Sequence, residues 1–252
     1  MWGLKCLMML TTGPLSMSPL SRLTMFLVTA GCVGGLSLPS PARPHLALRE
    51  TVPALVEGRR SGSVLLTCSA TGSPAPRVAW YKDSLFVSHL EDLEEQLEGS
   101  LGETVAQLRL SCLTEADVGQ YECRAVSGRH QVSAVTHLSL KDGHAELCTK
   151  TGRPEISVWS PTIMVEEGNT VILPCRLTRS GDHTATTTTW SNTRGEEVGA
   201  VGSRWRVAQS GDLEISGVTW ADMGQYTCTV SNKAGTASRQ TFLYPLASPP
   251  QQ

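Results

Sequence analysis

Asp117-Val118-Gly119-Gln120-Tyr121-Glu122-Cys123 returns as Asp222-Met223-Gly224-Gln225-Tyr226-Thr227-Cys228, 105 residues further along the chain. The same offset carries Leu108, Leu110 and Leu113 onto Leu213, Ile215 and Val218. Each copy has an upstream cysteine, Cys68 lying 55 residues before Cys123 and Cys175 lying 53 before Cys228, and each cysteine is followed by a tryptophan, Trp80 or Trp190. A repeat of this length is a domain and not a solenoid unit. Val64-Leu65-Leu66-Thr67-Cys68 and Val171-Ile172-Leu173-Pro174-Cys175 are short β-rich runs, with Val78 to Tyr81 and Thr186 to Trp190 as the next strands. Leu108-x-Leu110 and Leu213-x-Ile215 put two apolar side chains on one face, as the period of a strand requires. The spacing predicts two antiparallel sandwiches and an all-β chain.

Each copy resembles an immunoglobulin domain of the intermediate set (I-set/C2-type), on the pattern Cys…Trp…Leu-x-Leu/Ile…Asp-x-Gly-x-Tyr-x-Cys. The resemblance implies two tandem immunoglobulin-like β-sandwiches. Tyr121 and Tyr226 then stand at tyrosine corners, two residues before the second cysteine, beside Asp117 and Asp222. It also implies that Cys68–Cys123 and Cys175–Cys228 cross between sheets with Trp80 and Trp190 packed on them. The boundaries are residues 44–141 for the first domain, 142–153 for a linker holding Cys148, 154–246 for the second domain and 247–252 for a tail. Trp190 lies 15 residues after Cys175, against 12 between Cys68 and Trp80, which implies a longer loop or a bulge in the second copy.

The 8 cysteines call for metal sites or an oxidising compartment. Leu23 to Val33 is an apolar run of eleven residues behind Arg22, followed by Gly34-Gly35-Leu36-Ser37-Leu38-Pro39. A positive flank, a short apolar core and a small-residue exit form a signal peptide, and eleven residues are too few to span a bilayer. Residues 1–38 therefore read as a signal peptide with an extended leader, with Met17 as an alternative start. A retained interfacial anchor and a lipidation box at Leu27 to Cys32 are the competing readings. Removal of the leader takes away Cys6, Cys32, Lys5 and Arg22, and leaves 19 basic against 23 acidic groups. Six cysteines remain, for which 15 pairings are combinatorially open. In an immunoglobulin sandwich Cys112, entering the turn after strand E, and Cys148, just past the last strand, share one pole. A Cys112–Cys148 bridge is expected, with an intermolecular bond as the alternative.

The near-neutral charge argues against nucleic-acid binding. His45, His89, His130, His137, His144 and His183 show no ligand spacing, and no nucleophile elbow or phosphate loop is present. No enzyme, cofactor, metal or membrane span is expected. The three asparagines lie outside any Asn-x-Ser/Thr sequon. His89 to Leu101 carries five acids and leucines at helical spacing, and reads either as a partner-contacting helix or as a solvated loop resting on the sandwich edge. Arg59-Arg60 is an exposed turn or a processing site, and Thr184 to Thr189 a loop entering a strand. Trp205 and Trp220 are extra to the fold and are either packed or exposed binding aromatics.

The whole chain also resembles the arthropod secreted two-immunoglobulin proteins of the imaginal morphogenesis protein-Late type, or neural/ectodermal development factors. The resemblance rests on Gly211-Asp-Leu-Glu-Ile-Ser216, Trp220 to Cys228, Thr241-Phe-Leu-Tyr-Pro245, and Cys148-Thr-Lys-Thr-Gly-Arg-Pro154 with Trp159-Ser-Pro161 and Leu173-Pro-Cys-Arg176. It implies a secreted protein that binds an insulin-like peptide hormone, of the androgenic-gland type in crustacean relatives or an insulin/IGF relative, and sequesters it. A secreted adhesion or matrix ligand is the alternative. Ile156, Val158 and Trp159, just past the linker, are the candidate hormone contacts; they read equally as the buried first strand of the second domain.

Overall fold

The computed structural model describes residues 45–87, 99–141, 148–149, 152–177, 186–199 and 204–247. The leader (1–38), most of His89 to Leu101, residues 178–185 and the end of the tail lie outside the described residues. The first domain is built from β1 (Leu46–Glu50), β2 (Leu55–Arg59), β3 (Ser63–Gly72), β4 (Arg77–Lys82), β5 (Leu85–Phe86), β6 (Ser100–Ser111), β7 (Gly119–Ser127) and β8 (His130–Lys141). The second has β9 (Ile156–Glu166), β10 (Val171–Leu173), β11 (Cys175–Leu177), β12 (Thr187–Ser191), β13 (Glu197–Val198), β14 (Trp205–Val207), β15 (Leu213–Ile215), β16 (Gly224–Asn232) and β17 (Gly235–Leu246). The chain is all-β, as expected.

In the first domain the sheet β2-β8-β7-β4-β5 faces β1-β3-β6. Alternation along β3 sends Leu66, Cys68 and Ala70 inward to meet Trp80, Leu108, Tyr121 and Cys123. The second domain repeats the plan around Leu173, Trp190, Leu213, Ile215, Tyr226 and Leu243. Cys68–Cys123 and Cys175–Cys228 both bridge their sheets, each with Cα atoms 6.4 Å apart.

Pro174 divides what is one continuous strand in the first copy. Proline has no N–H to give to a ladder. Up to Leu173 the chain pairs with β15, and from Cys175 it pairs with β9. The glycine of the repeated motif is also explained. Gly119 and Gly224 have φ of +146° and +147°, and a Cβ on Gly224 would lie 2.7 Å from the Thr193 methyl. Only glycine takes that backbone turn without strain.

The two sandwiches share a sheet. β9 pairs antiparallel with β6 of the first domain along one edge. Its other edge pairs with β11 and then in parallel with β17. The resulting nine-stranded sheet runs β1-β3-β6-β9-β17-β16-β12-β13, with β11 as a branch. In an immunoglobulin sandwich strand D follows strand E in this sheet. Here β9 stands beside β6, the strand E, and Val158 enters the first domain's core while Ile156 enters the second's.

Candidate binding surface

The aromatics of the repeat are structural. Trp80 Nε1 donates to the Ala106 carbonyl (3.1 Å) and Trp190 Nε1 to that of Gly211 (2.9 Å). The Tyr121 hydroxyl donates to the Asp117 carbonyl (2.8 Å) and the Tyr226 hydroxyl to that of Asp222 (3.0 Å), closing both tyrosine corners. Burial, reinforced by the nearby carboxylates, pushes both phenols up, Tyr226 to about 12. They stay neutral donors in any ordinary buffer.

Asp117 and Asp222 each cap a single-turn helix. Asp117 accepts from the Thr114 amide and hydroxyl (both 2.9 Å), and Asp222 from those of Thr219 (2.8 and 3.1 Å). Asp222 additionally takes a two-pronged ion pair from Arg204. Burial would raise its carboxyl, but the bonds from Arg204 and Thr219 outweigh burial and hold it below the usual range. Cys112 and Cys148 are bonded, with Cα atoms 5.5 Å apart, so the linker is tied to the turn after β6.

Two of the three residues of the expected contact strip are buried. Ile156 and Val158 are only 4% and 3% exposed, each taken up by a different core, and offer no side chain to a partner. Trp159 is half-buried against the second core, with the Arg239 guanidinium 4.4 Å above its ring. The structure brings forward different residues on the same shared sheet. Leu101 on β6 stands opposite Met164 on β9, which stands beside Tyr244 on β17. Phe242 flanks Tyr244 two positions away, and Trp220 meets the Tyr244 ring edge-on at 5.7 Å. Leu101, Phe242, Tyr244 and Trp220 are 37–46% exposed. They form an apolar row that crosses from one domain to the other.

Beyond this row the outer face of β12, β16 and β17 alternates threonine, serine and glutamine outward, with the ladder pairs Thr189–Thr229, Thr227–Gln240 and Gln225–Phe242. A neutral hydroxyl-rich face beside exposed aromatics has the composition of an interface core, where charged side chains are depleted. One signal in the sequence pointed here. In Thr241-Phe-Leu-Tyr-Pro245, a buried Leu243 forces Phe242 and Tyr244 outward by the period of a strand. Leu101 and Met164 carried no such signal, because their neighbour belongs to another domain.

The other singled-out segments resolve simply. Arg60 pairs with Glu115 at a turn after β2. Thr187 to Thr189 begin β12. Trp205 packs against the second core, whereas Trp220 is the exposed aromatic of the two. Among the described residues no helix is long and apolar enough to cross a membrane.

Comparison with known proteins agrees with this architecture. The family described as "Immunoglobulin domain" matches residues 49–127 and 153–232. The chain is 27% identical to the neural/ectodermal development factor IMP-L2 of Drosophila melanogaster over 209 residues, 80% of this chain and 77% of that protein. It is 28% identical to the Zwei Ig domain protein zig-4 of Caenorhabditis elegans over 192 residues, 72% and 73% of the two chains. The crystal structure of IMP-L2 superposes with a TM-score of 0.65 at 24% identity, covering 81% of this chain and 96% of that one. With both halves matched by one family and the two-domain fold reproduced over most of its length, the chain belongs to the immunoglobulin domain family, two copies in tandem.

Proposed function

We propose that the chain is a secreted, non-enzymatic binding protein that captures an insulin-like peptide hormone, of the androgenic-gland type or an insulin/IGF relative, and modulates signalling by withholding it from its receptor. The observation that carries this reading is the apolar row Leu101–Met164–Tyr244–Trp220, exposed at Leu101, Tyr244 and Trp220, which crosses the shared sheet in a chain resembling hormone-binding two-domain proteins. The apolar leader and three disulfides support export. A standard protein–protein interface takes about 800 Å² from each partner, and a sheet of nine strands shared by two domains is a surface on which a small helical hormone could rest. Occupying the hormone's apolar receptor-facing patch is sequestration in its simplest form.

Titration calorimetry against insulin-like peptides of the same source tests this, with an unrelated tandem immunoglobulin pair in parallel. The expected outcome is one-to-one binding at micromolar affinity or tighter, weakened roughly tenfold or more by Trp220→Ala with Tyr244→Ala. Absence of such binding overturns the hormone reading and leaves the adhesion alternative. Binding that ignores the double variant moves the site off this row.

A further inference from the structure

We propose that the cleft at the junction of the two domains is a recognition site for a carboxylate on a peptide partner, with Arg239 as its anchor. The cleft has a volume of about 130 Å³ and is lined by Leu65, Gln107 and Arg109 of the first domain and by Pro154, Ala237 and Arg239 of the second. It is distinct from the aromatic row and stands whether or not the hormone reading does.

The charge balance of the cleft is incomplete. Arg109 is paired across the junction with Glu155 at 3.0 Å. Among the described residues no carboxylate pairs with Arg239, although its side chain lies half-buried over Trp159. A guanidinium has five N–H donors. Here Nη2 reaches Gln107 Oε1 at 3.4 Å and Nη1 the Ser238 carbonyl at 3.3 Å, both at the long end for a hydrogen bond. Nε is buried and has no acceptor among the described residues. A cation partly drawn out of water without a counter-charge costs free energy that an anion reaching its weakly bonded Nη atoms recovers.

The chemistry of the walls selects the anion. The one charge left over among the described residues matches a monoanion, and the oxygens of Gln107 and Glu155 repel a second negative charge. The planar fork of arginine fits a carboxylate side by side. The Trp159 ring already fixes the plane of that fork, so little side-chain freedom is left to lose on binding. Leu65, 43% exposed, together with Pro154 and Ala237, gives an apolar wall for the carbons next to the carboxylate. The ligand class is thus an acidic side chain or chain terminus flanked by an apolar group.

The test is nitrogen-15 NMR of the full chain, following the Arg239 Nε–H and Trp159 Nε1–H resonances. Isobutyrate should shift both saturably in the millimolar range, and isobutyramide should shift neither. That comparison needs no variant. Arg239→Gln should weaken isobutyrate at least tenfold, while Arg109→Gln should change it less than threefold. Two peptides identify the source of the carboxylate: acetyl-Ala-Glu-Leu-amide offers a side chain, and acetyl-Ala-Leu-Ala with a free end offers a terminus. A response to either supports the site. No saturable shift with isobutyrate, an equal response to isobutyramide, or tighter binding of methyl phosphate than of isobutyrate overturns it.

Discussion

The two immunoglobulin domains share one signature and are held together differently. The second keeps two carboxylates inside its own fold. Asp212 accepts Arg176 (2.8 and 3.0 Å) and the Cys175 amide (2.9 Å), and Asp222 accepts Arg204. The first has Gln107 at the position matching Asp212, and among the described residues Asp117 caps its turn without a guanidinium. It draws instead on what lies beyond it in the chain: β9 along the edge of β6, Val158 in its core, and the Cys112–Cys148 bond. Matching sequence motifs therefore do not imply matching sources of stability. The second copy bonds its two buried carboxylates within its own fold, whereas the first is completed by its neighbour.

The sharpest way to break this comparison is to open the linker bond. Cys112→Ser with Cys148→Ser removes a closure spanning 36 residues, worth roughly 3–4 kcal/mol in the chain-entropy account. Calorimetry should show the first domain melting earlier, with the second little changed. Equal losses in both domains would refute the asymmetry.

Val158→Ala comes next, at about 2 kcal/mol for a truncated core side chain. Although Val158 lies in the second domain's first strand, amide exchange should accelerate in β3 and β6 first. Acceleration confined to β16 and β17 would place its packing in the other core.

Arg204→Ala should cost roughly 2 kcal/mol, because Asp222 is left 3% exposed without its partner while Arg204 itself is 38% exposed and partly screened. The same pair sets a pH dependence. The folded carboxyl of Asp222 lies below its unfolded value, so its contribution is complete above that unfolded value, near pH 4. It fades as pH falls through the lower folded value. Acid should thus loosen the second domain more in the native protein than in Asp222→Asn, and identical acid profiles would remove Asp222 from the account. The smallest effect belongs to Trp220→Ala. Its ring is 46% exposed, so the thermal midpoint should move by less than the equivalent of about 1 kcal/mol even where partner binding falls.

Much of the fold was legible in the residues. Cysteine and tryptophan spacing, the period-two leucines and the tyrosine two places before each second cysteine all describe contacts made within one copy. The surface was only half legible. Phe242 and Tyr244 follow from the alternation around Leu243, but Leu101 and Met164 lie on strands from different domains that local pattern does not pair. The expected strip Ile156, Val158 and Trp159 illustrates the same limit from the other side. An apolar alternating run says that a strand will be covered on a face, and leaves open which core covers it.

By itself, the sequence determined that this chain is two disulfide-bridged sandwiches in tandem, because side-chain period, cysteine spacing and glycine at positive φ are local requirements. The tertiary structure alone decided that the sandwiches share a sheet. The edge of a strand presents the same N–H and C=O groups whatever its side chains. The choice of β9 as the neighbour of β6 therefore depended on where the tethered linker delivers it. That choice buried Ile156 and Val158, aligned Leu101 with Met164 and Tyr244, and set Arg239 over Trp159 at the domain junction.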